Sequence, residues 1–202
     1  MSRARGRVIL AITGASGAIL GIRALELLRA AGKETHLIIS DAARQTIPLE
    51  TGWRVADVEA LADACYAPQR IGARIASGSF VTEGMLVAPC SIKTLSGIAN
   101  SYADNLIVRA ADVCLKEGRK LILAVRETPL HGGHLRLMQQ AAEAGAVIFP
   151  PAPAFYVGMQ TLDELVTDLA GRMLLRMGIE NDAYGRWEGD AGFDPDEQIE
   201  DE

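Results

Sequence analysis

Short apolar runs alternate with longer stretches of helical period along most of this chain. Val8 to Ile12 is an uninterrupted apolar run, ended by Thr13-Gly14-Ala15-Ser16-Gly17. From Ile19 to Ala31 the period changes: Ile19, Ile22, Leu25, Leu27 and Leu28 fall largely on one helical face, and Gly32 is a helix stop. Thr35 to Ile39 reads as a second strand, followed by Ser40 and a helix through about Leu49. Val55 to Cys65 reads as a further helix. The stretch from Tyr66 to Glu83 fits no single period, with Arg74-Ile75-Ala76 a candidate short strand. Met85 to Ala88 is a third strand, and it runs through a short hydroxylated loop into a helix. Asp104 to Lys116 is a helix with Gly118 behind it. Leu121 to Val125 and Ala146 to Phe149 are strands, with a helix from about Gly133 to Ala144 between them. Pro150-Pro151-Ala152-Pro153 is a stiff connector. Thr161 to Met177 is the last helix, with Thr161 as N-cap and Glu164 at the capping-box spacing. Alternating strands and helices imply right-handed crossovers, a parallel sheet and an α/β fold of three layers. Strand order is not readable at this level.

Composition narrows the class. The 202 residues are enough for one ordinary domain, 49% hydrophobic but only 5% aromatic, so Ala, Leu, Ile and Val dominate, as parallel strands covered on both faces require. No apolar run is long enough to span a bilayer, and Met1-Ser2-Arg3-Ala4-Arg5-Gly6-Arg7 leads into a strand rather than a signal-peptide core; the expectation is a cytoplasmic protein. Three cysteines, Cys65, Cys90 and Cys114, make neither a disulfide framework nor a zinc pattern. The formal charge of −6 is a property of the end of the chain. Residues 188–202 hold eight acids and no Lys or Arg, so the body of residues 1–187 carries +2. One domain over residues 1–187 and a disordered acidic tail over 188–202 are expected. No basic stripe suggests nucleic acid.

Candidate chemistry sits at strand ends. Thr13-Gly14-Ala15-Ser16-Gly17 joins a strand to a helix, where backbone N–H groups can meet a phosphate. It is neither a dinucleotide fingerprint nor a P-loop. Nor does any tyrosine have a lysine four residues later: Tyr66, Tyr102, Tyr156 and Tyr184 are followed at that spacing by Arg70, Leu106, Gln160 and Glu188. Pro89-Cys90-Ser91-Ile92-Lys93-Thr94 lies at another strand end, with Ser91 and Thr94 as hydrogen-bonding groups and Cys90 as a small buried thiol or, less simply, a nucleophile. Arg126-Glu127 closes an apolar strand. Two opposite charges there form a structural salt bridge or face a ligand, the Arg stabilising phosphate and the Glu exchanging a proton. His131 and His134 read as surface histidines at a helix start, since no further metal ligands accompany them.

Taken together and in order, the motifs Thr13-Gly14-Ala15-Ser16-Gly17-Ala18, Leu49-Glu50-Thr51, Ser77-Gly78-Ser79, Pro89-Cys90-Ser91-Ile92-Lys93-Thr94-Leu95, Asn105-Leu106, Arg109-Ala110-Ala111-Asp112-Val113, Leu115-Lys116-Glu117, Arg126-Glu127-Thr128-Pro129-Leu130, His134-Leu135 and Pro153-Ala154-Phe155-Tyr156 resemble those of flavin prenyltransferases of the UbiX type. The resemblance runs from Val8 to about Trp187. It implies a Rossmann-like, flavodoxin-like fold and an enzyme that transfers a dimethylallyl group from dimethylallyl phosphate to reduced FMN. The product, prenylated FMN, would serve a UbiD-type decarboxylase in ubiquinone biosynthesis or aromatic-acid decarboxylation. No metal is implied. A homododecamer with the flavin site at subunit contacts is.

Position by position, the resemblance makes Gly14, Ala15, Ser16, Ser40, Ser91, Ile92, Lys93, Thr94 and Arg126 flavin contacts. Tyr156 and Arg172 become holders of the donor phosphate. Arg109, Lys116 and Glu127 become polar groups at the reaction centre, and Ser16, Glu50 and Trp187 lie close to the reacting groups. The chain departs from the pattern after Tyr156, where Val157-Gly158-Met159-Gln160 replaces a segment that often holds a His and a Pro. Two other expectations fit the same fold. One is an FMN-dependent decarboxylase of the peptidyl- or pantothenoyl-cysteine type, which needs a His after an early strand, whereas His36 lies within one. The other is a non-catalytic flavin carrier subunit of a decarboxylase.

Overall fold

The computed structural model describes residues 5–187 and residue 189. Six strands form one parallel sheet: β1 (Arg7–Ile12), β2 (Glu34–Ile39), β3 (Ala64–Tyr66), β4 (Gly84–Cys90), β5 (Lys120–Val125) and β6 (Val147–Ile148). Their order is β3-β2-β1-β4-β5-β6, with each neighbouring pair parallel. Without the three-residue edge strand β3, the other five have the flavodoxin-like order. The period-two alternation of β1 divides the core. Val8, Leu10 and Ile12 point to the face covered by α1 (Ala18–Ala30), α2 (Asp41–Glu50) and α7 (Leu162–Met177). Ile9 and Ala11 point to the face covered by α4 (Ile92–Ala99), α5 (Leu106–Lys116) and α6 (Gly132–Glu143). Apolar strands without polar alternation are what a sheet buried on both faces requires.

Two elements differ from the sequence reading. The expected helix over Val55 to Cys65 is a five-residue helix, α3 (Val55–Glu59), followed by β3. Asp63 explains the break: its carboxylate accepts the Thr35 N–H at 2.8 Å and Arg5 Nη1 at 2.7 Å, which draws the chain out of helix and alongside β2. The candidate strand Arg74-Ile75-Ala76 is a turn of 3₁₀-helix. Ile75 is buried in the face that α5 covers, and the backbone closes on itself through Ala76 N–H to Ala73 C=O rather than on a strand edge. The capping box at Thr161 and Glu164 is present as expected. The acidic tail lies outside the described residues, Gly189 excepted.

Topology places the functional end. From β1 the chain crosses through α1 to β2 on one side, and from β3 it crosses to β4 on the other side of β1. Such a reversal opens a crevice at the carboxyl ends of the strands, here between β1 and β4.

Candidate active site

A groove of about 1060 Å³ opens at that crevice, lined in part by Gly14, Ser40, Ser91, Ile92, Lys93, Thr94 and Glu127. Its first wall is the β1–α1 loop. Thr13, fully buried, joins this loop to the end of β4: its hydroxyl donates to Pro89 C=O at 2.7 Å and accepts the Ser91 N–H at 2.8 Å, while its own N–H reaches the same carbonyl at 3.2 Å. Gly14 lets the loop approach α2, since a Cβ there would stand 2.4 Å from Ala42 Cβ. Gly17 starts α1 at φ +100°, and its N–H donates to Glu50 Oε2 at 2.8 Å. Fold contact thus brings Glu50, from the end of α2, to the loop that carries Ala15 and Ser16.

Three helix N-termini line the groove, those of α2, α4 and α5, and the first two are capped by serines. Ser40 caps α2 by accepting the Ala43 N–H, and Ser91 caps α4 by accepting the Thr94 N–H. They are not equivalent for an anion. The first turn of α2 contains Asp41, whereas the first turn of α4 has no acid and carries Lys93. Ser91 Oγ also donates to Thr94 Oγ1 at 3.1 Å, which leaves the Thr94 hydroxyl hydrogen free to turn to a ligand. The α4 terminus is therefore the better phosphate seat.

Arg126 and Glu127 follow β5, and both are exposed. They make no ion pair with each other or with any other described residue, so the structural salt bridge is not formed. Glu127 Oε1 accepts the Thr128 N–H at 3.0 Å, and the Arg126 N–H ties to Cys90 C=O at 3.2 Å. Cys90 itself is fully buried, and that burial pushes its thiol far above the usual range; it is a packing residue, not a nucleophile. His131 accepts the Gly133 N–H through Nδ1 and so caps α6, its ring 3.7 Å from that of His134. Among the described residues no group of three His, Cys, Asp or Glu is placed to hold a metal.

Ala15, Ser16, Glu50 and Arg126 border this groove without lining it, and Tyr156, Arg172, Trp187, Arg109 and Lys116 are not among its lining residues within one protomer. Arg172 Nη2 donates to Tyr156 Oη at 2.8 Å, and Trp187 meets Tyr156 edge to face with centroids 5.3 Å apart. This second cluster joins α7, through Arg172, to the turn at Tyr156 and the segment after the helix. Arg109, half-buried on α5, pairs with Asp112 at 2.9 Å. Lys116 ends α5 in contact with Glu117, about three turns from the groove-lining N-terminus of that helix.

Comparison with known proteins settles the family. The pattern of the family described as Flavoprotein matches residues 2–173. The flavin prenyltransferase UbiX of Escherichia coli is 56% identical over 186 residues, 91% of this chain and 98% of that protein. The chain belongs to the UbiX flavin prenyltransferases. A UbiX crystal structure in complex with FMN and dimethylallyl pyrophosphate matches at 46% identity and TM-score 0.90, covering 92% of this chain and 98% of that one. A dodecameric structure from Escherichia coli, described as an FMN-dependent UbiX-like decarboxylase, matches at 48% identity and TM-score 0.88, covering 91% and 100%.

Within this UbiX family member, the sequence motifs name the residues of both clusters but not the contacts that hold them. Asn105, part of the Asn105-Leu106 motif, caps α5 through the Ile107 and Val108 N–H groups and lines the groove, as an Asn ahead of an apolar helical run does. Thr13 and Asp168 gave no comparable signal, because each acts on partners distant in sequence.

Proposed function

We propose that this protein transfers a dimethylallyl group from dimethylallyl phosphate to reduced FMN. The observation that carries the reading is the groove between β1 and β4, which sets an acid-free, lysine-bearing helix N-terminus beside an unpaired glutamate. The groove suits FMN: its volume matches that of a cofactor site, it holds one phosphate seat at α4, and it has no dinucleotide fingerprint. Ser91, Lys93 and Thr94 hold the flavin phosphate. Gly14, Ala15, Ser16, Ser40, Ile92 and Arg126 complete the flavin contacts.

Reduced FMN supplies a nucleophilic N5, to which the allylic carbon attaches as phosphate leaves. Tyr156 and Arg172 hold the departing phosphate, Arg109 and Lys116 offset its growing charge, and Trp187 offers an aromatic face to a positively charged allyl group. Glu127 accepts the N5 proton, and Glu50, fixed by Gly17, sits with Ser16 beside the reacting groups. Because the Tyr156–Arg172 cluster and Lys116 do not line the groove in one protomer, we infer a homo-oligomer, a dodecamer, in which one subunit completes the groove of another. Prenylated FMN is then delivered to a UbiD-type decarboxylase. No helix among the described residues is long and apolar enough to cross a membrane, and a cytoplasmic location is the corresponding proposal.

The test is anaerobic incubation with reduced FMN and dimethylallyl phosphate, followed by mass analysis of the flavin. The expected product is heavier by one dimethylallyl group. Unmodified flavin together with release of carbon dioxide from an added acid would replace this reading with a decarboxylase.

A further inference from the structure

Helix α7 carries a buried acid that the proposed chemistry does not use. Asp168 lies one turn before Arg172, its side chain 4% exposed. A buried carboxylate is costly unless its oxygens are filled. Both are filled here: Oδ2 accepts Arg172 Nε at 2.8 Å and Oδ1 accepts the Gly185 N–H at 2.9 Å. The Gly185 carbonyl in turn accepts from Arg172 Nη2 at 2.9 Å, and the same nitrogen reaches Tyr156 Oη at 2.8 Å. Acid and guanidinium thus grip both polar groups of one residue and leave Arg172 a single orientation.

Gly185 belongs to a strap that leaves α7 at Gly178 and returns along it. Asn181 Nδ2 donates to Gly171 C=O at 3.0 Å, and Asn181 Oδ1 accepts the Ala183 N–H at 3.1 Å. Two glycines allow this close course. A Cβ on Gly171 would lie 2.8 Å from Asn181 Oδ1 and 3.0 Å from Ala183 Cβ, and one on Gly185 would lie 2.6 Å from Val157 Cγ1. Two residues past Gly185, Trp187 meets Tyr156 at an interplanar angle of 74°. The strap has no regular secondary structure to hold that indole; the grip on Gly185 does so instead.

We propose that Asp168 is the positioning residue of the donor half-site: it aims the Arg172 guanidinium at Tyr156 and, through Gly185, holds the strap that presents Trp187. This rests on the donor role proposed above for Tyr156, Arg172 and Trp187. An arginine already locked at Nε loses little rotamer freedom when it meets a phosphate, so the pair favours binding by preorganisation.

Two variants of the full-length protein test it, both in a Trp53→Phe background that leaves Trp187 as the sole indole. Asp168→Asn keeps the shape but turns an NH₂ towards either Arg172 Nε or the Gly185 N–H, so one arm breaks. Gly185→Ala leaves Asp168 and Arg172 intact and pushes the strap off Val157. Both should raise donor KM, by about 10-fold for Asp168→Asn, keep FMN Kd within about twofold, and lower the fluorescence anisotropy of Trp187. If Asp168→Asn does not fold, Gly185→Ala carries the test alone. Unchanged donor KM overturns the proposal, even where anisotropy falls. So does a parallel rise of donor KM and FMN Kd, which marks general loosening. Absence of prenylated flavin from wild type would remove the proposed activity instead, and the anisotropy would still decide whether Asp168 holds the strap.

Discussion

The buried hydroxyl of Thr13 is the sharpest point at which to test the site. Thr13→Val keeps volume and removes both hydroxyl bonds, to Pro89 C=O at 2.7 Å and from the Ser91 N–H at 2.8 Å. Pro89 C=O retains the Thr13 N–H, so the main loss is one orphaned donor, Ser91 N–H. Leaving that donor unmet costs about 1–3 kcal/mol, and the lost bond about 1 kcal/mol more. For a domain of this size each kcal/mol moves the melting temperature by about 2–4 °C, giving a fall of roughly 5–15 °C. Thr13→Ser keeps both bonds and loses one methyl group, at a cost of about 1 kcal/mol. Ser91 also caps α4, the proposed phosphate seat, so Thr13→Val should weaken FMN binding by about 10-fold, equal to ~1.4 kcal/mol. Thr13→Ser should bind FMN as wild type does. Calorimetric melts and flavin-fluorescence titrations of the two variants make the comparison. If Thr13→Val melts within about 2 °C of Thr13→Ser, or binds FMN equally well, the two strand-end loops are held by something other than this hydroxyl.

Three further outcomes are expected. Glu127→Gln should leave FMN Kd unchanged and lower the rate of prenylated-flavin formation by about 10²-fold, measured by single-turnover mass analysis; near-normal turnover would remove Glu127 from proton transfer. Gly21→Ala should destabilise by about 3 kcal/mol, the upper end for overpacking, because its Cβ would lie 2.2 Å from Ala88 C=O and 2.8 Å from Ile12 Cγ1; denaturant unfolding checks this. His36, buried between Tyr66 Oη at 3.0 Å and Glu34 at 3.1 Å, has its pKa held below the usual 6.5 by burial, which outweighs the pull of Glu34. Its neutral form is favoured on folding, so the unfolded chain binds more protons below that usual value and stability falls as pH drops through 6.5 towards the folded-state pKa. His36→Gln should lose less stability than wild type between about pH 7 and about pH 5; equal losses would assign the acid sensitivity to carboxylates.

Local signals and tertiary contacts divide the explanation of this protein between them. Periodicity found β1, β2, β4, β5 and the helices between them because a strand buried on both faces has to be apolar throughout, while a helix covering it has to be apolar on one side. Motif order placed the Gly14–Ser16 and Ser91–Thr94 loops at strand ends, and capping chemistry set the start of α7 at Thr161. Periodicity failed between Val55 and Ala76, where Asp63 and Ile75 answer to partners on β2 and under α5 rather than to their neighbours in sequence. The choice between salt bridge and ligand contact for Arg126 and Glu127 also stayed open in the sequence, since a charge pair adjacent in the chain has no obligation to meet in space. Only the fold excluded the salt bridge, and only the fold set the strand order that opens the groove beside β1, the Thr13 link between two loops, the return of Glu50 to Gly17 and the grip of Asp168 on Gly185. Each of these joins groups that are remote in sequence. Backbone propensity and hydrophobic pattern act over a few residues, whereas a buried hydroxyl or carboxylate is satisfied by whatever the packed layers bring to it.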